Sequence, residues 1–236
     1  MKLLVIIVSN QFSPDYINNI QKLSLLLQSI SDHIDYVGIS SFDDFHHYEN
    51  IITFKSKIIN QYTQFTKICD FIQKNKDDLN SYDWFIKFRP EIFLFDNIPF
   101  DQLHKNCINA RARKYYGPKK IKYGSSVGGK GPFSHIKDCK YYPHEYYIEL
   151  DDQIYIFDKT VIDNGGFSLP LSNIIQHEHE PFHNNFWISK NIDRNIIGIN
   201  MVLMKNDNHM YSGDIGTFTN NDDNKKTLQS KKMLFM

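Results

Sequence analysis

The chain has 236 residues, of which 41 % are apolar and 14 % aromatic, enough to build one α/β core rather than two small ones. Its 27 basic and 27 acidic side chains cancel, which argues against the electrostatic footprint of a nucleic-acid or membrane-surface binder and favours a small polar ligand. No run approaches the ~20 apolar residues of a membrane span, and Cys69, Cys107 and Cys139 are too far apart for a zinc knuckle or a disulfide framework, so a reducing, cytoplasmic setting is expected.

Lys2 to Val8 is apolar and rich in β-branched residues, as a strand buried on both faces should be, and is read as a first strand rather than a leader peptide. Ser9-Asn10-Gln11 closes it with polar side chains, placed to face the base or ribose if the sheet binds a nucleotide. Asp15 is positioned to cap a helix whose apolar residues recur at Ile17, Ile20, Leu23, Leu26, Leu27 and Ile30. A second strand is expected over Tyr36 to Ser40, a short third over Ile51 to Phe54, and an amphipathic helix over Lys55 to Ile72. Lys74 to Leu79 reads as a charged turn.

The next stretch, Trp84-Phe-Ile-Lys-Phe-Arg-Pro-Glu-Ile-Phe93, organises the reading. Trp84 to Phe88 suits a central strand, and Pro90 stops sheet pairing because it has no N–H to donate and holds the preceding residue extended. Arg89 and Glu91 are thereby expected at a strand end facing the crevice where open α/β sheets bind ligands. The alternative is an ion pair buried at the strand end.

Further along, Cys107 to Arg113 reads as a strand with Asn109, Arg111 and Arg113 on one side. Gly128-Gly-Lys-Gly131 fails the phosphate-loop pattern, since Gly131 and Pro132 stand where Ser or Thr should open a helix, and reads as a basic loop or a hairpin tip. The tyrosines of Tyr141 to Tyr147, Tyr146 among them, suit stacking on sugar rings or ordinary strand pairing. His179-Glu180-x-x-His183 matches a zinc-peptidase pattern, but Pro181 interrupts the helix that pattern needs; a helix from Pro181 to Ile192 is expected instead. A last strand is expected over Arg194 to Met204, with residues 1–212 forming the domain and 213–236 a polar tail.

The run Trp84 to Phe93 resembles the segment of GT-A-fold glycosyltransferases that reads aromatic strand, Asp-x-Asp, apolar strand, with Arg89 in place of the first acid and Glu91 keeping the second. Arg-x-Glu after such a strand looks like the pattern of small viral and bacterial transferases that build lipopolysaccharide, capsule or glycan chains. Leu150-Asp-Asp-Gln-Ile-Tyr-Ile-Phe157 is similar to their Asp-Gln segment between donor and acceptor halves. Together the two motifs span a resemblance over most of residues 1 to 205. It implies a single α/β domain with a mostly parallel sheet flanked by helices, a nucleotide-sugar donor and a glycan or glycoprotein acceptor.

The resemblance also implies roles. Ser9, Asn10, Asp43, Lys57, Asn60, Gln64, Arg89, Asn109 and Arg111 would bind the donor, with Arg89 and Arg111 neutralising the diphosphate. Asp43 as a surface acid, and Lys57, Asn60 and Gln64 as a solvated helix face, are the bland alternatives. Glu91 would hold a divalent metal (Mn or Mg) or a sugar hydroxyl, and a guanidinium at Arg89 would do part of that metal's work. Asp152 would orient or deprotonate the acceptor hydroxyl, with Tyr146, Asp151 and Gln153 beside it; alternatively Asp151 or Asp152 caps a turn. A non-catalytic relative that binds nucleotide-sugar or glycan, and a zinc peptidase acting through His179-Glu180-x-x-His183, are the other classes of function.

Overall fold

A computed structural model describes residues 1–9, 15–40, 51–55, 61–116, 146–168, 187, 190–199, 201–205 and 209–210. Strands β1 (Lys2–Ser9), β2 (His33–Ser40), β3 (Ile51–Lys55) and β4 (Trp84–Phe88) pair in parallel in the order β3-β2-β1-β4. On the far side of β4 the long strand β7 (Tyr146–Asp158) runs antiparallel, followed by β6 (Cys107–Tyr116) and β8 (Asp193–Ile196), which completes a seven-stranded sheet. Three shorter strands, β5 (Ile92–Leu94), β9 (Met201–Lys205) and β10 (His209–Met210), form a small antiparallel sheet. The sheet is thus mostly parallel, as the sequence implies.

Helices flank both faces. Helix α1 (Asp15–Gln28) buries Ile20, Leu23 and Leu27 against Leu3, Val5, Ile7, Ile86 and Phe88, on the same face as Ile92, Leu94 and Met201 of the small sheet. Because the small sheet shares that cluster with β1, the two sheets make one domain. Helix α2 (Gln61–Lys74) covers the other face with Phe65, Ile68, Cys69 and Ile72, packed on Leu4, Ile6 and Val8. Short helices α3 (Lys76–Leu79) and α4 (Lys159–Asp163) follow α2 and β7. This second core is aromatic: Phe85 and Phe157 stack at 5.2 Å, Phe157 and Phe167 lie 4.5 Å apart, and Tyr155 meets Trp187 edge-on at 5.0 Å. Burial pushes the Cys69 thiol well above its usual range, with Asp70 adding to the shift.

Several elements depart from the sequence reading. The charged turn after α2 contains the helical turn α3. The segment Leu150 to Phe157 is continuous strand, so neither Asp151 nor Asp152 caps a turn. The expected last strand is two, β8 and β9, separated by 197–199, because Ile197 and Ile199 turn into the α1-side core while β8 stays on the sheet edge. The Gly128 loop, the histidines of 177–183 and residues 213–236 lie outside the described residues, as does all of the expected Pro181 to Ile192 helix except Trp187 and 190–192. Among the described residues no helix is long and apolar enough to cross a membrane.

Phe157 sits at the centre of the aromatic layer, so Phe157→Ala should lower unfolding free energy by about 3–5 kcal/mol, measured by denaturant titration with an unchanged m-value.

Candidate active site

The parallel block has one reversal of direction. From β1 the chain moves outward through β2 and β3, then returns to place β4 on the other side of β1. Doubly wound sheets take ligands at the carboxyl ends of the strands beside such a reversal; here α1 leaves β1 and β5 follows β4 on the same face, so the rim between β1 and β4 is singled out by the strand order. Ser9, paired with Ser40, ends β1 at this rim. Across from it, the register Ile7 to Phe88 puts Arg89 level with Val8 as β4 ends.

Arg89-Pro90-Glu91-Ile92 is a tight turn closed by the Ile92 N–H donating to Arg89 O at 3.1 Å, with proline where the turn favours it. Two neighbours hold it. The Arg89 N–H donates to Gln153 O on β7 at 3.0 Å, and the buried Asn19 of α1 donates its Nδ2 to Pro90 O at 2.8 Å. Proline thus stops the β4 ladder while a helix on one side and a strand on the other fix the turn it creates.

Within the turn, the Arg89 guanidinium lies between two carboxylates. Nε donates to Glu91 Oε1 at 2.7 Å, Nη2 donates to the same oxygen, and Nη1 stands 3.8 Å from Asp152 Oδ2. The side chains of Arg89, Glu91 and Asp152 are 19 %, 11 % and 1 % exposed, so Arg89 is the member that reaches the surface. The Glu91 Oε2 atom is buried without a hydrogen-bond partner among the described residues, and so is Gln64 Oε1, whose amide Nε2 donates to Val8 O at 3.5 Å. Two acceptors in want of a donor therefore flank the end of β1, each a cost that a bound hydroxyl or N–H would remove.

Behind Arg89 lies a second cation. Lys87, in the middle of β4, is fully buried; its Nζ donates to Asp152 O and lies 5.4 Å from the centre of the Tyr155 ring. The partner strand is distorted here: Ala110 pairs with Tyr155 and Ala112 with Leu150, so the single residue Arg111 faces Asp151 to Ile154 across an irregularity. Bulges of this kind re-aim side chains, and this one brings the Asp152 carboxylate to Arg89. Burial first, then the nearby Cys69 and Asp152, push the Tyr155 phenol well above its ordinary value, so it stays neutral beside the lysine.

The sequence-predicted residues divide three ways. Arg89, Glu91 and Asp152 come together, with Arg111 and Gln153 on the strands beside them and Ser9 and Gln64 at the end of β1. Asn109 does not join them. It is wholly buried, its Nδ2 donating to His104 O, Cys107 O and Ile156 O and its Oδ1 accepting from His104 N and Asn195 Nδ2, so its amide pins a loop to the sheet and has nothing left for a donor. Asn10, Asp43, Lys57 and Asn60 lie outside the described residues, as do the side chains of Tyr146, Asp151 and Arg113.

Asp152, expected to meet an acceptor hydroxyl within about 3 Å, is 1 % exposed, with Oδ2 3.8 Å from Arg89 Nη1. Sequence reasoning missed Lys87 and Asn19. A lysine inside an otherwise apolar strand, two residues before Arg89, was the available signal for the first; Asn19 carries no comparable signal.

A divalent metal at Glu91 fits this donor set poorly. One carboxylate oxygen already takes two hydrogen bonds from a guanidinium, and among the described residues no three His, Cys, Asp or Glu side chains form a metal-binding group. Like charges ~4 Å apart cost about 4 kcal/mol per unit charge at an effective dielectric of 20, and a dication would double that.

Neither a family model nor a curated protein matches the sequence. Solved structures with a similar course of the backbone include a glycosyltransferase involved in the glycosylation of the major capsid of PBCV-1, at a TM-score of 0.45 and 8 % identity over 84 % of this chain and 82 % of that one. Another is the glycosyltransferase GlyE of Streptococcus pneumoniae TIGR4, at 0.41 and 11 % identity over 83 % of this chain and 45 % of that one.

Asn109→Ala should lower stability by about 1–3 kcal/mol through the buried groups it orphans, while the folded variant keeps any ligand affinity of the crevice; denaturant titration and ligand binding on the same sample separate the two.

Proposed function

We propose that this chain is a glycosyltransferase that moves a sugar from a nucleotide-diphosphate donor to a hydroxyl of a glycan or glycoprotein. The observation that carries the reading is the placement of Arg89, a preset guanidinium, at the carboxyl-end crevice between β1 and β4. That position is where doubly wound sheets take nucleotides. A planar fork matches a phosphate through two parallel charge-assisted hydrogen bonds. The orphaned acceptors Gln64 Oε1 and Glu91 Oε2 ask for donors as well, and a nucleoside sugar carries hydroxyls beside its phosphates, which a bare anion does not.

In the transfer, the acceptor oxygen forms a bond to the anomeric carbon as the bond from that carbon to the diphosphate oxygen breaks, and the hydroxyl proton passes to the leaving diphosphate or to water. Negative charge grows on the leaving diphosphate. Arg89 would meet that charge directly, with Lys87 and Arg111 adding positive potential from inside the sheet, and preorganised charge of this kind is usually the largest single contribution to lowering such a barrier. Asp152 and Glu91 would hold the guanidinium in place, so that little reorganisation is needed when charge develops. The resemblance of Trp84 to Phe93 and of Leu150 to Phe157 to the GT-A transferases supports the same chemistry.

Thermal-shift measurements with UDP-, GDP-, dTDP- and CMP-sugars test this. A ligand that binds only the folded state, at 100 times its dissociation constant, adds ~2.7 kcal/mol and raises Tm by about 5–10 °C in a chain of this size. One of these nucleotides should give such a shift, and Arg89→Ala should abolish it. A shift of the same size in wild type and Arg89→Ala moves the donor to another place, and no shift with any of them removes the transferase reading.

A further inference from the structure

We infer that the crevice binds its diphosphate without a divalent cation, the guanidinium of Arg89 standing where a metal would otherwise bridge the phosphates. The inference rests on the donor-site reading above and adds how that site recognises its anion.

A divalent cation of the Mg or Mn kind binds through one or more carboxylates with free lone pairs and a near-octahedral oxygen shell. The carboxylates here are committed differently. Glu91 Oε1 is taken up by Nε and Nη2 of Arg89 while Glu91 Oε2 keeps its lone pairs, and Asp152 Oδ2 stands 3.8 Å from Nη1, so the guanidinium fills the space between the two acids that a cation shared by them would need. Lys87 and Arg111, both buried, stand on β4 and β6 on either side of the Asp152 segment. Among the described residues, Arg89, Lys87 and Arg111 stand around the Glu91 and Asp152 carboxylates, and cations so placed favour a phosphate over a dication.

The geometry suits the task. The turn that carries Arg89 is fixed by Gln153 and Asn19, and Glu91 holds the guanidinium along its Nε–Nη2 edge. A guanidinium fixed this way loses little rotamer freedom when it binds, which is part of what a rigidly held metal contributes.

Calorimetric titration of the full chain with inorganic pyrophosphate and with UDP, GDP, dTDP and CDP, each in EDTA and in manganese, reads the inference directly. Expected is binding of pyrophosphate and of one nucleotide in EDTA, with a dissociation constant that manganese changes by less than about threefold, and a loss of tenfold or more in Arg89→Lys, which keeps the charge but not the fork. Binding that appears only with manganese, and that Glu91→Gln removes, overturns the metal-free site while leaving the donor reading in place. Binding of pyrophosphate in EDTA with no preference for any nucleotide keeps the anion site and removes the donor reading. No binding in either buffer overturns both. Circular dichroism of each variant guards against loss of fold, and a well-folded Arg89→Lys that binds as wild type also overturns the assignment.

Discussion

The charged group at the end of β4 exists because a guanidinium is held by two carboxylates in a place where water is scarce. Taking any one of these charges out of water alone would cost several kcal/mol, and together they share that cost through hydrogen bonds and proximity. Removing one member leaves its partners uncompensated. The three side chains are therefore set by one another as much as by the backbone, and the Arg89 to Ile92 turn, the irregularity in β7 and the buried Lys87 can be understood as the supports that keep them in register. Stability alone would be served as well by apolar side chains. Arg89 and Glu91 do form the ion pair expected as the alternative at this strand end, and the ligand-binding role proposed above would use the part of the cation that reaches the surface.

The antiparallel strand β7 has a particular part in this. A parallel strand beside β4 would need a crossover and would bring its own carboxyl end to the same rim. Antiparallel β7 instead runs past the rim, pairing with β4 through Trp84 to Phe88 and continuing along β6, so the residues level with Arg89 come from its middle. On the β6 side the ladder is irregular at these residues, and it is β4 that holds them, through the Arg89 N–H on Gln153 O and Lys87 Nζ on Asp152 O. A charged group tied to a strand in this way is held more precisely than one on a free loop.

Much of this architecture could be read from the chain itself, and the reason is periodicity. Continuous apolar runs at Leu3 to Val8 and Trp84 to Phe88 have few alternatives to buried central strands, and Pro90 marks where pairing stops, so the place of Arg89 and Glu91 followed from local chemistry. What the sequence did not reveal depends on contacts between distant segments. Nothing within a few residues of Asp152 says that it turns toward Arg89 instead of outward, since the irregularity opposite Arg111 is a property of two strands. Asn109 follows the two-residue alternation that suggested a shared face with Arg111, yet its amide is consumed by His104 and Ile156, neither of which is legible as a partner beforehand. Lys87 was visible but unassigned, because a lysine in an apolar strand gives no hint of what it will meet until β7 is laid beside it.

The central claim is a position: phosphate oxygens at the carboxyl ends of β1 and β4, against Arg89. A crystal structure of the chain grown with the nucleoside diphosphate that binds best tests it most directly. The account predicts phosphate oxygens within about 3 Å of the Arg89 guanidinium, with ligand hydroxyl or N–H groups reaching toward Gln64 and Glu91. Density for the nucleotide at the opposite end of the sheet, in the groove lined by Ser24, Ser31 and Tyr36, with Arg89 still closed on Glu91 and touching nothing else, would contradict it.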